Sequence, residues 1–183
     1  MFDGPEYGAV SKITAGVVEA TWRDVASFSD NRGRSETARA QREQPDLLVF
    51  MLATTEHLSS PVHALAFYVF LVIWQIFRRS TSTRIPRIKA RAIERQFEQN
   101  EQSLSRLEGV HTRFLERAAA AQVSQQPAVF RYMVEAIMEA PDDPDDPVEM
   151  TEEESGTLFL VLKTVIDVLH DARQRVEGLR TTG

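Results

Sequence analysis

The chain has 183 residues, 43% of them apolar and 26% charged, enough for one domain with a hydrophobic core and unlike a disordered polymer. It has no cysteine. Disulfides, thiolate metal sites and cysteine nucleophiles are therefore excluded together, and the composition suits a reducing compartment such as the cytoplasm. The net charge of −6 hides a segregation: nine acids and no base lie between residues 139 and 154, and the rest of the chain has 18 acids against 21 bases.

Met1 to Glu6 carry neither a basic nor an apolar run and do not read as a secretory signal. Over residues 9–28, Val10, Ile13, Val17, Val18, Trp22, Val25 and Phe28 recur at three and four, which predicts a helix. Ile13, Ala15 and Val17 also alternate in a β-branched segment, so a strand is the second reading. Asn31-Arg32-Gly33 signals a turn, with a short polar helix from Ser35 to about Glu43. Pro45 stands where the first turn of a helix tolerates proline, ahead of Leu47, Leu48, Phe50, Met51, Leu52 and Leu58. Ser60-Pro61 repeats that signal, with Ser60 as cap, for a helix running to about Arg79.

From Ala64 to Phe77 this helix has one strongly polar residue, Gln75, and its apolar side chains cover every direction of the helical wheel. Three roles compete: the hub of a bundle, a hub that also carries a subunit interface, and a membrane span. The flanking amphipathic helices need an apolar partner, which favours the soluble readings. Seventeen residues from Pro61 to Phe77 are also at the lower limit for spanning.

After Ser80-Thr81-Ser82-Thr83 and Pro86 the pattern becomes a heptad, with Ile93, Phe97, Asn100, Leu104, Leu107, His111, Phe114, Ala118 and Ala121 in unbroken phase. One long helix over about 87–121 is expected, packed along that seam. Gln126-Pro127 opens another helix bearing Val129, Phe130, Met133, Val134, Ile137 and Met138. Pro141, Pro144 and Pro147 punctuate an acidic loop over 141–150. Thr151 and Glu154 then form a capping box for a last helix reaching about Arg180. The expected fold is all-α, a single domain over 1–183: a bundle of five to seven helices around the apolar helix at about 61–79.

Few motifs carry chemistry. Glu108-x-x-His111 and Asp167-x-x-His170 share the acid–His spacing of di-metal helix bundles. With Leu158, Leu162, Val165, Leu169, Ala172 and Val176 defining the inner face, Asp167 and His170 fall on the stripe expected to face water, which argues against a metal. Asn100 and His111 are the polar positions of the heptad seam and read first as register devices, second as the floor of a pocket. The acidic loop lacks the alternating acids and central glycine of a calcium loop and reads as a solvated linker. Arg78, Arg79, Arg84, Arg87, Lys89, Arg91 and Arg95 form a basic run without interleaved aromatics, so nucleic acid is disfavoured. Nucleophile-elbow, phosphate-loop, dinucleotide and zinc-protease motifs are absent.

No catalytic residue, metal ligand or cofactor is therefore expected, and an enzyme is disfavoured. The expected function is a non-catalytic bundle acting through protein–protein contacts as a homodimer. The alternative is a small-ligand-binding domain with an aromatic pocket. Phe67, Phe70, Trp74, Phe77, Asn100 and His111 are the candidate interface or pocket residues.

Overall fold

The computed structural model describes residues 12–105, 125–140, 145 and 147–178, except the side chains of 104 and 105. Within these the protein is all-helical, with seven helices and no strand: α1 (Ala15–Ala26), α2 (Asp30–Glu43), α3 (Pro45–Thr55), α4 (Ser60–Arg79), α5 (Ala90–Ser105), α6 (Pro127–Glu139) and α7 (Glu152–Gly178).

Helix wins over strand in the first segment because Thr14 caps α1 and Val18, Thr21 and Val25 bury one helical stripe. Helix α2 begins five residues earlier than expected. The Ser29 hydroxyl caps it, Asp30 complements the positive end of its dipole, and Arg32 is anchored bidentately to Asp24 and stacked 4.0 Å from the Phe28 ring centroid. The expected turn at Asn31-Arg32-Gly33 is thus the first turn of a helix, and the chain reverses at Ser27–Ser29 instead. Pro45 and Pro127 occupy the first turns of α3 and α6.

Helix α4 is the hub expected from its composition, packing against α1, α2, α3, α6 and α7. Every residue from Val69 to Phe77 is buried, whereas Pro61, Ala64 and Tyr68 leave one side of the N-terminal half open. Gln75, fully buried, donates to Glu36 Oε2 at 2.7 Å and accepts from Arg78 at 2.7 Å, so its polarity docks α2 onto the hub. Helix α4 starts one residue before the expected point: Ser59 is the cap position, and its hydroxyl makes no capping bond. Its N–H instead reaches Glu154 Oε1 at 3.0 Å.

Glu154 is the partner of Thr151 in the expected capping box, accepting the Thr151 N–H at 2.9 Å while Thr151 Oγ1 accepts the Glu154 N–H at 3.1 Å. The backbone N–H of Thr151, then that of Ser59, draws the Glu154 carboxyl down to about 2. One carboxylate therefore serves the starts of both α4 and α7.

Helix α7 is a second hub, touching α3, α4, α5 and α6. The water-facing stripe expected on it is largely covered between Leu158 and Arg173, where Asp171 alone is exposed. Lys163, Thr164, His170 and Arg173 are each no more than 5% exposed, and Asp167 is mostly covered. Four helices pack around it, so most of its polar residues are buried and hydrogen-bonded.

Between α4 and α5 the chain is extended, with Ile85 and Ile88 inserted into the core. Gln44, 1% exposed, holds it there: Nε2 donates to the carbonyls of Ile85 and Pro86 at 3.4 and 2.9 Å, and Oε1 accepts the Ile88 N–H at 3.0 Å. Gln44→Ala leaves these backbone groups unpaired in the interior and is expected to cost about 2–3 kcal/mol in urea denaturation. A loss within the noise of the measurement would show that water replaces the amide. The long helix expected over 87–121 begins at Ala90, and its continuation past Ser105 lies outside the described residues.

Candidate functional site

Phe70, Trp74 and Phe77 are at most 1% exposed and Phe67 is half-buried. Close packing around Trp74 includes the Arg78 guanidinium 5.4 Å from its ring centroid. These aromatics form the core beneath the surface, with Phe67 alone of the four reaching it. His111 lies outside the described residues.

Asn100, 4% exposed, lies where α5 meets α7, and polar side chains do converge on it. Its Nδ2 donates to Thr164 Oγ1 at 3.1 Å and to Asp167 Oδ2 at 3.0 Å. Its Oδ1 accepts from Lys163 Nζ at 3.1 Å and Gln96 Nε2 at 3.2 Å. Lys163 can only donate, which fixes the orientation of the amide. Two donors and two acceptor sites are then all occupied, leaving Asn100 with nothing to offer a ligand. Lys163 also donates to Asp167 Oδ2 at 2.5 Å, and Thr164 returns its proton to the Leu160 carbonyl at 2.8 Å.

Burial pushes the Asp167 carboxyl up, and the Lys163 ammonium and the Asn100 amide pull against it. The Lys163 amine is 5% exposed and engaged by both Asn100 and Asp167. What this cluster does chemically is lock α5 to α7 in one register, since a shift of either helix strands an amide or a charge in the interior.

His170, also assigned to the wet stripe by periodicity, is 4% exposed. Gln126 Oε1 accepts the Ile13 N–H at 2.8 Å, so its Nε2 must donate to His170 Nδ1, 3.0 Å away. Nδ1 therefore accepts and carries no proton, while Nε2 lies 2.9 Å from Gln174 Nε2. Burial lowers its pKa below the usual 6.5, against the opposing charge of Asp171. A depressed base contributes stability that is present above the unfolded value and lost as pH falls through the folded one. Stability should therefore fall as pH drops below the unfolded value of about 6.5, and His170→Gln should flatten that step in urea titrations. An unchanged step in the variant would assign it to another group.

Among the described residues no three His, Asp or Glu side chains cluster as metal ligands do. In the basic run, Arg78 pairs with Glu36 and Arg79 with Asp24, while Arg84, Arg87, Lys89, Arg91 and Arg95 are exposed.

The outer side of α3 is different in kind. Its seven residues from Leu47 to Ala53 are all apolar, so the helix has no polar stripe to turn to water. Leu47, Leu48, Met51 and Thr55 pack inward, and Phe50 meets Phe97 edge-on with centroids 5.5 Å apart. Val49 is left 64% exposed and Leu52 37%, with Ala53 exposed beside them. Neither the heptad nor the hub helix pointed here. The signal was the uninterrupted apolar run in a helix too short to be a hub.

No known protein family, curated protein or solved structure matches this chain. Function has to be argued from these surfaces.

Proposed function

We propose that the domain is a non-catalytic helical bundle that works through protein–protein contacts, pairing with a second copy of itself across the outer side of α3. The uncovered apolar face of Val49, Leu52 and Ala53 carries this reading. A helix without a polar stripe is ordinarily buried on all sides, and here the seven-residue run is covered on the inner side only. Uncharged and self-complementary, such a face suits a two-fold contact in which α3 meets its own copy. Eleven residues make a helix about 16 Å long, too short to bury the roughly 800 Å² per partner of a standard interface. The contact therefore extends onto α2 and α5, which flank α3 and supply the charged rim.

The proposal takes α4 as a core helix of a soluble protein. It is long and apolar enough to cross a membrane, yet 61% of its most apolar window is buried among the other helices. A cytoplasmic location belongs to the same reading and rests on the cysteine-free composition.

Sedimentation velocity over a dilution series tests it. The mass should rise toward twice that of the chain with concentration, and Val49→Glu should hold the protein monomeric with its helical content unchanged, because Val49 is 64% exposed in the single chain. A monomer at every concentration would overturn the proposal, as would a dimer indifferent to Val49→Glu.

A further inference from the structure

Ile13 is 5% exposed and stands ahead of the first turn of α1, so its N–H has no place in a helical ladder. Gln126, fully buried at the junction before α6, supplies the partner, its Oε1 accepting that N–H at 2.8 Å. The other end of the same amide donates from Nε2 to His170 Nδ1 at 3.0 Å. One side chain thus ties the start of α1 to the middle of α7.

This relay has a fixed polarity. A backbone N–H can only donate, so Oε1 faces Ile13, Nε2 faces His170, and Nδ1 accepts. A proton on Nδ1 sets two donors against each other. Turning the amide over restores a bond to His170 but places Nε2 against the Ile13 N–H. Neither orientation of Gln126 satisfies all three groups, and burial keeps water from making up the loss. We propose that proton uptake at His170 releases Ile13 from the core, the Gln126 amide turning over to carry the change from α7 to the start of α1.

The surroundings let this happen locally. Helix α1 is held separately by its buried stripe of Val18, Thr21 and Val25 and packs against α4 and α6, so only Ile13 and its neighbours have to leave. Gln174, half-buried and 2.9 Å from Nε2, can turn its own amide to suit either state of the ring. Among the described residues the charges acting on His170 belong to α7: Asp171, Asp167 and Glu177 favour the proton, and Arg173 opposes it while paired with Glu177. Asp167 is engaged in turn by Lys163 and by the neutral Asn100 and Gln96 of α5. Ile13 and Gln126 bring no titrating group to the joint, and Lys12 is exposed. None of these residues lies on α3, so the test does not depend on dimerisation.

Magnetic resonance of the ¹⁵N-labelled full chain reads ring and amide in one series from about pH 8 to about pH 4.5. The Ile13 amide shift should follow the His170 ring with a single midpoint. Ile13 should lose about tenfold or more of its protection against hydrogen exchange while the amides of residues 69–77 keep theirs. In His170→Gln, which can accept from Gln126 without titrating, Ile13 should stay protected throughout. In Gln126→Glu a carboxylate can accept from both Ile13 and a protonated ring, so the His170 midpoint should rise by about one unit or more with Ile13 still protected. Four results would overturn the proposal: the ring titrating with Ile13 unmoved, equal loss of protection in His170→Gln, release of Ile13 in Gln126→Glu as in the wild type, or a ring that stays neutral until the whole chain unfolds.

Discussion

Asp167→Ala is expected to lower stability by about 3–5 kcal/mol, a large part of the roughly 5–15 kcal/mol that holds a domain of this size together. The substitution leaves the Lys163 ammonium, 5% exposed, without its carboxylate, and frees one donor of Asn100. Lys163→Met should cost less, because Asp167 keeps its bonds from Asn100 and Gln96 and its side chain retains 15% exposure through which water reaches it. The double change Lys163→Met, Asp167→Leu removes both charges together and should recover most of the loss. Urea denaturation followed by circular dichroism reads all three. A double variant as unstable as Asp167→Ala would mean that the pair contributes net stability, and that its role is more than fixing the register of α5 on α7.

Trp74→Ala should be the most damaging substitution in the core, at about 3–5 kcal/mol, because it removes the largest fully buried side chain from a place where every α4 neighbour is also packed. Where that variant fails to fold, Trp74→Phe keeps an aromatic ring and should lose a smaller amount. The two tryptophans give a direct check on this burial. Trp22 is 37% exposed and Trp74 1%, so Trp22→Phe should leave a blue-shifted emission that iodide hardly quenches. Easy quenching of the remaining tryptophan would contradict the packing around α4.

The helices were legible in the sequence wherever an apolar stripe had to find a partner. Pro45, Pro127 and the Thr151–Glu154 box stand where periodicity and capping rules put them, because those signals act within one turn of chain. Other features depended on what packs alongside. A wheel assigns Asp167 and His170 to water by default, and it has no means of knowing that Asn100 and Gln126 arrive from 67 and 44 residues away. Gln44 and Gln126 were invisible for the same reason: a glutamine in a junction looks like any surface glutamine until the backbone it holds is seen. At α3 the error would run the other way. Seven apolar residues in a row imply burial on every side, and only the number of helices available to surround it decides that Val49 stays in water. Of the four candidate interface or pocket aromatics, Phe70, Trp74 and Phe77 are buried and Phe67 is half-buried. That very burial takes three of the four out of reach of a ligand.

The shared carboxylate of Glu154 sets an order of events during synthesis. Helix α4 begins beside α7, and its most apolar half is covered in part by that helix, which is made about a hundred residues later. At about 5–20 residues per second, the ribosome needs some 5–20 s to deliver the missing wall. For that time a helix carrying Phe70, Trp74, Ile76 and Phe77 has lost one of its main covers. A nascent chain arrested before residue 152 should therefore be a strong client of hydrophobic-binding chaperones, and one arrested after full emergence of α7 a weak one.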